Sequence, residues 1–131
     1  MIGESSCPIA TVLRNKRTAQ QFWTRVFNDG DLDYIDQTLA PGYTYNGSPG
    51  GADGLKAWVK ALRSAMPDLF FRVESLLGAH DTVAIRWTLS GTRDGKEVFL
   101  TGENVLVFDD DGRAVSNWQF LGTPDLTHQA C

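Results

Sequence analysis

Asn104, Asn117 and Gln119 stand in two strand-like runs, "TGENVLVF" and "AVSNWQFLG", joined by the acidic turn "DDDGR". Side chains of a strand alternate between faces, so if Leu106 and Phe108 point into a core, Asn104 points there with them. An amide buried without partners costs about 1–3 kcal/mol. Three carboxamides at interior positions therefore imply groups that bond them, a ligand among the candidates. Tyr43 and Tyr45 of "YTYNG" share a face by the same alternation. Carboxamides do not titrate, and a phenol with an ordinary pKa of about 10 is a poor base at neutral pH. Such groups instead donate and accept hydrogen bonds, which orients a substrate, stabilises an oxyanion or holds a water. The competing reading makes the same residues core amides and aromatics whose bonds are satisfied internally.

The elements that must position these groups are legible from periodicity. From Thr18 the apolar residues Ala19, Phe22, Trp23, Val26 and Phe27 recur at helical spacing, and "NDGD" ends the run. A short second helix is expected in "DLDYIDQTLA", closed by Pro41-Gly42, followed by the strand-like "YTYNG". "GGADGLKAWVKALRSAMPD" predicts a third helix with Leu55, Trp58, Val59, Leu62 and Met66 on one stripe. Beyond Pro67 the period becomes two, in "LFFRVESLL", "TVAIRWTLSG", "EVFLTGENVLVF" and "AVSNWQFLG", with turns at "GAHD", "TRDGK" and "DDDGR". Helices followed by an antiparallel meander indicate one α+β domain over 15–122, after a loosely ordered segment 1–14 and before a tail 123–131.

A chain of 131 residues buries enough surface to stand without metal or disulfide. Cys7 and Cys131 have no metal-ligand spacing and read as incidental thiols, which fits a cytoplasmic location. The net charge of −4 without a basic run argues against nucleic acid and anionic membranes. No apolar run approaches the roughly 18 residues of a membrane span. The "DDDG" run lacks the spaced oxygen ligands of a calcium loop, so no metal is expected, and no nucleotide-binding glycine motif suggests a cofactor. His80 in its turn and His128 in the tail read as exposed polar residues.

The phrases "FNDGDLD", "MPDLFFRVESLL", "VAIRWTLSGT" and "FDDDGRAVSNW", in this order, resemble the SnoaL-like polyketide cyclases within the nuclear transport factor 2 and ketosteroid isomerase superfamily. The likeness runs from about residue 15 to 122. It implies a conical barrel: three N-terminal helices on a strongly bent, mostly antiparallel sheet that encloses one pocket. By this resemblance Asn104 matches the position where the isomerases place a protonated aspartic acid. Asn117 and Gln119, flanking Trp118, match pocket-facing positions, the second often an aspartate in the family. Gly47 falls about where the isomerases keep their carboxylate base, and Trp23 replaces their catalytic tyrosine. These departures argue against a steroid-type proton shuttle.

The expected catalytic groups are Tyr45, Asn104, Asn117 and Gln119. Trp23, Tyr43, Trp58, Trp87, Leu106 and Leu121 are expected to contact substrate, with Ile85 and Leu89 as further filling. Arg86 would enter the pocket in an epoxide-hydrolase-like arrangement, but alternation in "VAIRWTLSG" turns it outward, and Glu103 likewise. A cofactor-free cyclase or isomerase is expected, acting on a hydrophobic polyketide-like or terpenoid small molecule, with epoxide opening as second chemistry. The alternative is a noncatalytic binding or protein-interaction module of the same fold. Trp118, Val105, Val107 and Phe99 alternate to the outer sheet face, which predicts a homodimer there.

Overall fold

The computed structural model describes residues 9–122. Residues 1–8 of the expected N-terminal segment and the tail 123–131, with Cys7, His128 and Cys131, lie outside the described residues. Helix α1 spans Ile9–Gln21, so ordered structure starts ahead of the Asn15 onset expected from periodicity. Ile9 and Leu13 are exposed, which hides the apolar pattern of its first turns. The helix is seated instead where Gly78 leaves room: a Cβ there would stand 3.0 Å from carbons of both Val12 and Lys16.

The helical run then changes character. Phe22–Asn28 forms a π-helical segment rather than continuing as α, and its wider turn is closed by the Asp29 N–H donating to the Thr24 carbonyl at 3.1 Å. Buried Phe22, Trp23, Val26 and Phe27 fit both helix types, so periodicity could not separate them. Two side chains pin the segment. Asn28 exchanges bonds with the backbone of Phe71 at 2.9 and 2.7 Å, and Arg63 donates to the carbonyls of Phe27 and Asn28, both at 2.7 Å.

Helix α2 is Asp33–Thr38, and strand β1, Leu39–Tyr45, follows it directly. Pro41-Gly42, expected as a helix stop, thus sits inside β1, where pairing with the neighbouring strand is interrupted between Leu39 and Thr44. Proline has no N–H for a ladder, so an irregularity is where a strand tolerates it. Strand β2 is Ser48–Pro49, helix α3 is Ala52–Ala65, and the long strands are β3 Phe70–Ala79, β4 Thr82–Arg93, β5 Lys96–Phe108 and β6 Ala114–Leu121. The turns Asn46-Gly47 and Asp94-Gly95 have positive φ at both residues, the geometry that matches strand twist in two-residue hairpins.

The six strands form one mixed sheet in the order β2-β1-β6-β5-β4-β3, with only β1 and β6 parallel. Three α-helices pack on it, and the core between holds Val26, Ile35, Val59, Val83 and Ile85, all at most 1 % exposed. The β4–β5 register sets Arg86 opposite Glu103, both exposed, so neither enters the interior. On the inner face the same register sets Ile85 opposite Asn104 and Trp87 opposite Gly102.

Candidate functional site

A cavity of about 430 Å³ opens between the π-helical segment, the first turns of α3 and the inner faces of β1, β5 and β6. The π segment contributes Phe22, Trp23 and Phe27, and α3 contributes Leu55 and Trp58. Trp58 is half exposed, and Phe27 meets it edge-on with ring centres 5.8 Å apart. Gly50, Gly51 and Gly54 form part of the wall. At Gly54 an added Cβ would meet no atom within 4 Å, so this glycine keeps open space. Tyr43, Tyr45, Asn104, Asn117 and Gln119 complete the lining. Among the described residues, no Asp, Glu, His, Lys or Arg lines the cavity.

The three carboxamides lie side by side because of strand register. Asn104 of β5 pairs with Gln119 of β6, Asn117 is two residues along the same face, and the parallel pairing puts Tyr45 of β1 beside Asn117. Their hydrogen bonds form a chain. The Trp87 Nε1–H donates to Asn104 Oδ1 at 2.7 Å. Asn104 Nδ2–H donates to Asn117 Oδ1 at 2.8 Å and, at 3.4 Å, to Gln119 Oε1. Asn117 Nδ2–H donates to the Tyr43 hydroxyl oxygen at 3.1 Å. Asn104 is 1 % exposed and Asn117 8 %, so these bonds are made with little competition from water.

The chain leaves Tyr43 with its oxygen receiving a bond and its own proton donating to no protein acceptor among the described residues. Burial pushes the Tyr43 phenol above its ordinary pKa, partly offset by the Asn117 bond, and a neighbouring Tyr45 anion would raise it further. Burial also raises Tyr45, with Asn46 partly offsetting it. Both are therefore neutral hydrogen-bond donors at physiological pH. Tyr45, 39 % exposed, stands toward solvent.

Of the ten side chains expected from sequence to meet a substrate, the structure brings Trp23, Tyr43, Tyr45, Trp58, Asn104, Asn117 and Gln119 to the cavity. Trp87, Leu106 and Leu121 stand outside it. Trp87 is 3 % exposed and lies behind Asn104, and Leu106 at 2 % is core. Leu121 ends β6 and is 59 % exposed. Ile85 and Leu89 are likewise fully packed core. Alternation assigned these residues a face but not a depth along it. Phe22, Phe27 and Leu55 were legible only as apolar helix positions. Asn46 was missed as a support: its Oδ1 accepts from the Gln119 backbone N–H at 2.7 Å, tying the β1–β2 turn to β6. Gly47 lies in that turn, where a Cβ would stand 3.1 Å from the Trp118 ring. It does not line the cavity.

Among the described residues no three His, Cys, Asp or Glu side chains gather as metal ligands, and no helix is long and apolar enough to cross a membrane. The sequence profile of the SnoaL-like polyketide cyclases matches residues 17–129. Similar solved structures include a proposed polyketide cyclase from Acidithiobacillus ferrooxidans, 27 % identical with TM-score 0.73 over 88 % of this chain and 93 % of that one. AclR, a proposed hydroxylase from Streptomyces galilaeus, is 21 % identical with TM-score 0.73 over 90 % and 96 %. TsrD from Streptomyces laurentii is 20 % identical with TM-score 0.75 over 89 % and 94 %. No curated protein matches the sequence.

Proposed function

The chain belongs to the SnoaL-like polyketide cyclase family, and from that premise we propose that it is a cofactor-free cyclase or isomerase of a hydrophobic, carbonyl-bearing polyketide-like or terpenoid substrate. The observation that carries this reading is the cavity: aromatic walls around a chain of fixed carboxamides and phenols, with no carboxylate or imidazole among the described residues that line it. Aromatic walls bind a flat apolar skeleton. Neutral donors held in place stabilise negative charge that develops on a carbonyl oxygen when an α-proton leaves. In an intramolecular aldol closure the enolate carbon attacks a second carbonyl carbon of the same molecule. One carbon–carbon bond forms, the carbonyl electron pair becomes an alkoxide, and the alkoxide regains the proton lost from the α-carbon. Holding both ends within one cavity supplies effective molarity. No described lining residue is a ready base, and we assign the α-proton to a water held in the site. Tyr45, Asn104, Asn117 and Gln119 are the groups we assign to this site, with Trp23, Tyr43 and Trp58 holding the skeleton. The same donors would accommodate an epoxide oxygen.

The outer sheet face supports a homodimer. Phe99, Trp118 and Phe120 are each about half exposed, and a second copy is the partner whose matching face would cover them.

The test uses Gly54→Phe. Gly54 lines the cavity and a Cβ added there meets no atom within 4 Å, so a phenylalanine is accepted at this wall and its ring is meant to obstruct the opening. Wild-type protein should quench its tryptophan fluorescence saturably with a polycyclic aromatic ketone and convert a linear polyketone to a cyclic isomer. The variant should do neither. Binding that survives the filled cavity would remove the site, and binding without turnover across ketone and epoxide substrates would leave a noncatalytic module.

A further inference from the structure

The polarity of the carboxamide chain follows from one residue. An indole N–H only donates, so the atom of Asn104 facing Trp87 is its oxygen. The Asn104 nitrogen then faces Asn117, which must offer its oxygen. That leaves the Asn117 nitrogen toward Tyr43, whose oxygen accepts. Each step leaves an N–H or O–H, rather than a lone-pair oxygen, as the group turned to the cavity. Reverse the first amide, and every later one reverses with it.

Trp87 itself is held by two further features. It lies across Gly102 of the adjacent strand, where any Cβ would clash with the indole ring. Glycine weakens the middle of a strand, so a strand interior that carries one marks a close approach. Phe71 meets the ring edge-on with 4.9 Å between centres. The direction of the N–H is thereby fixed.

We propose that Trp87 is a positioning residue that sets the cavity's inner end as a hydrogen-bond donor, so that substrate enters through an acceptor oxygen: a carbonyl, or the enolate derived from it. The inference deepens the proposed function and rests on the cavity being the substrate site. Trp87 touches no substrate. Its effect passes through Asn104 and Asn117 to the Tyr43 hydroxyl. Without the indole N–H, Asn104 turns its oxygen toward Asn117, Asn117 turns its own toward Tyr43, and the Tyr43 proton is consumed internally.

The probes are 2-naphthol, whose ionisation is read by absorbance, and naphthalene, which has the same skeleton and no oxygen. Wild-type protein should bind both and hold the bound naphthol pKa below the value that the same apolar cavity would impose without its donors, since outward donors favour the naphtholate against the burial that raises it. Trp87→Phe keeps a ring and removes the donor. It should shift the bound ionisation constant back by about tenfold or more, while naphthalene affinity stays within about twofold. A variant that weakens both probes alike and leaves the bound pKa unmoved would show packing alone and overturn the proposal. Wild-type protein that binds neither probe would remove the cavity reading itself, and this inference with it. If Trp87→Phe does not fold, Tyr43→Phe decides the same point. An outward Tyr43 proton predicts that the bound pKa rises, and an unchanged value means that the hydroxyl already points inward and refutes the polarity.

Discussion

Replacing Asn104 by leucine separates its two roles, because the side chain both lines the cavity and closes an internal chain. Leucine is similar in size and forms no hydrogen bonds. The change strands the buried Trp87 N–H, which now donates at 2.7 Å to Asn104, and the Asn117 Oδ1, which now accepts at 2.8 Å. Each unsatisfied buried group costs about 1–3 kcal/mol. The Asn117 share falls at the low end, because that residue borders the cavity and water can reach it. Burying the leucine methyls returns about 1 kcal/mol. The net loss is therefore about 1–3 kcal/mol. With an unfolding entropy near 2.1 cal/mol/K per residue, 131 residues convert 1 kcal/mol into roughly 4 °C, so Tm should fall by about 4–12 °C. Differential scanning calorimetry gives the stability term, and naphthol absorbance on the folded variant gives the site term. The bound naphthol pKa should rise, because the chain no longer orients Asn117. A Tm within about 2 °C of wild type would refute the network as a buried structural element. An undisturbed bound pKa in a destabilised variant would instead confine Asn104 to structure.

Turnover, once a substrate is in hand, should be flat between about pH 6 and 8, because the lining groups are amides, indoles and phenols; a bell centred there would expose a base outside the cavity lining. The Tyr43 phenol is raised in the folded state, so its stabilising share is full below about pH 10 and is lost as pH rises through the folded pKa. Urea melts should therefore show a steeper alkaline loss in wild type than in Tyr43→Phe. Gly54→Phe replaces a glycine within α3 and should keep or raise stability, by up to about 1 kcal/mol on propensity alone, even as it blocks the site. Light scattering should give about twice the chain mass at micromolar concentration, and Trp118→Lys should reduce it to one. A wild-type monomer would end the outer-face argument.

The sheet was readable because period-two alternation and turn chemistry agree along the chain. Arg93↔Lys96 closes on Asp94-Gly95 and Tyr45↔Ser48 on Asn46-Gly47, where "DG" and "NG" mark the turns. The carboxamide cluster was readable for the same reason, since one register fixes Asn104, Asn117 and Gln119 on one face. Depth was not. Trp87 and Leu106 share that face and lie beneath the cavity, while Leu121 lies beyond it, and no local pattern encodes the distance from a closing helix. The π-helical segment was also hidden. Its buried residues suit an α-helix equally well, and its wider turn is held by Arg63 and Asn28 bonds across 36 and 43 residues of sequence.

The resemblance matches Asn104 to the position where ketosteroid isomerases place a protonated aspartic acid, and its hydrogen bonds define what an amide would need to serve there. A carboxylic acid in an apolar site donates only while its proton stays on, which ties the donor to a raised pKa. An amide donates at every pH but offers an oxygen at its other end, and a flip exchanges the two. The donor role therefore requires something that forbids the flip. The indole of Trp87 meets that requirement at 2.7 Å, and Gly102 leaves the space in which the indole lies. Asn104 spends its own N–H groups on Asn117 and Gln119, so the donors that the proposed site offers a substrate oxygen stand further along the chain, at Asn117 and the Tyr43 hydroxyl. In the proposed site the described lining residues offer no carboxylate or imidazole, and they keep a donor array whose orientation does not depend on pH until the phenols ionise.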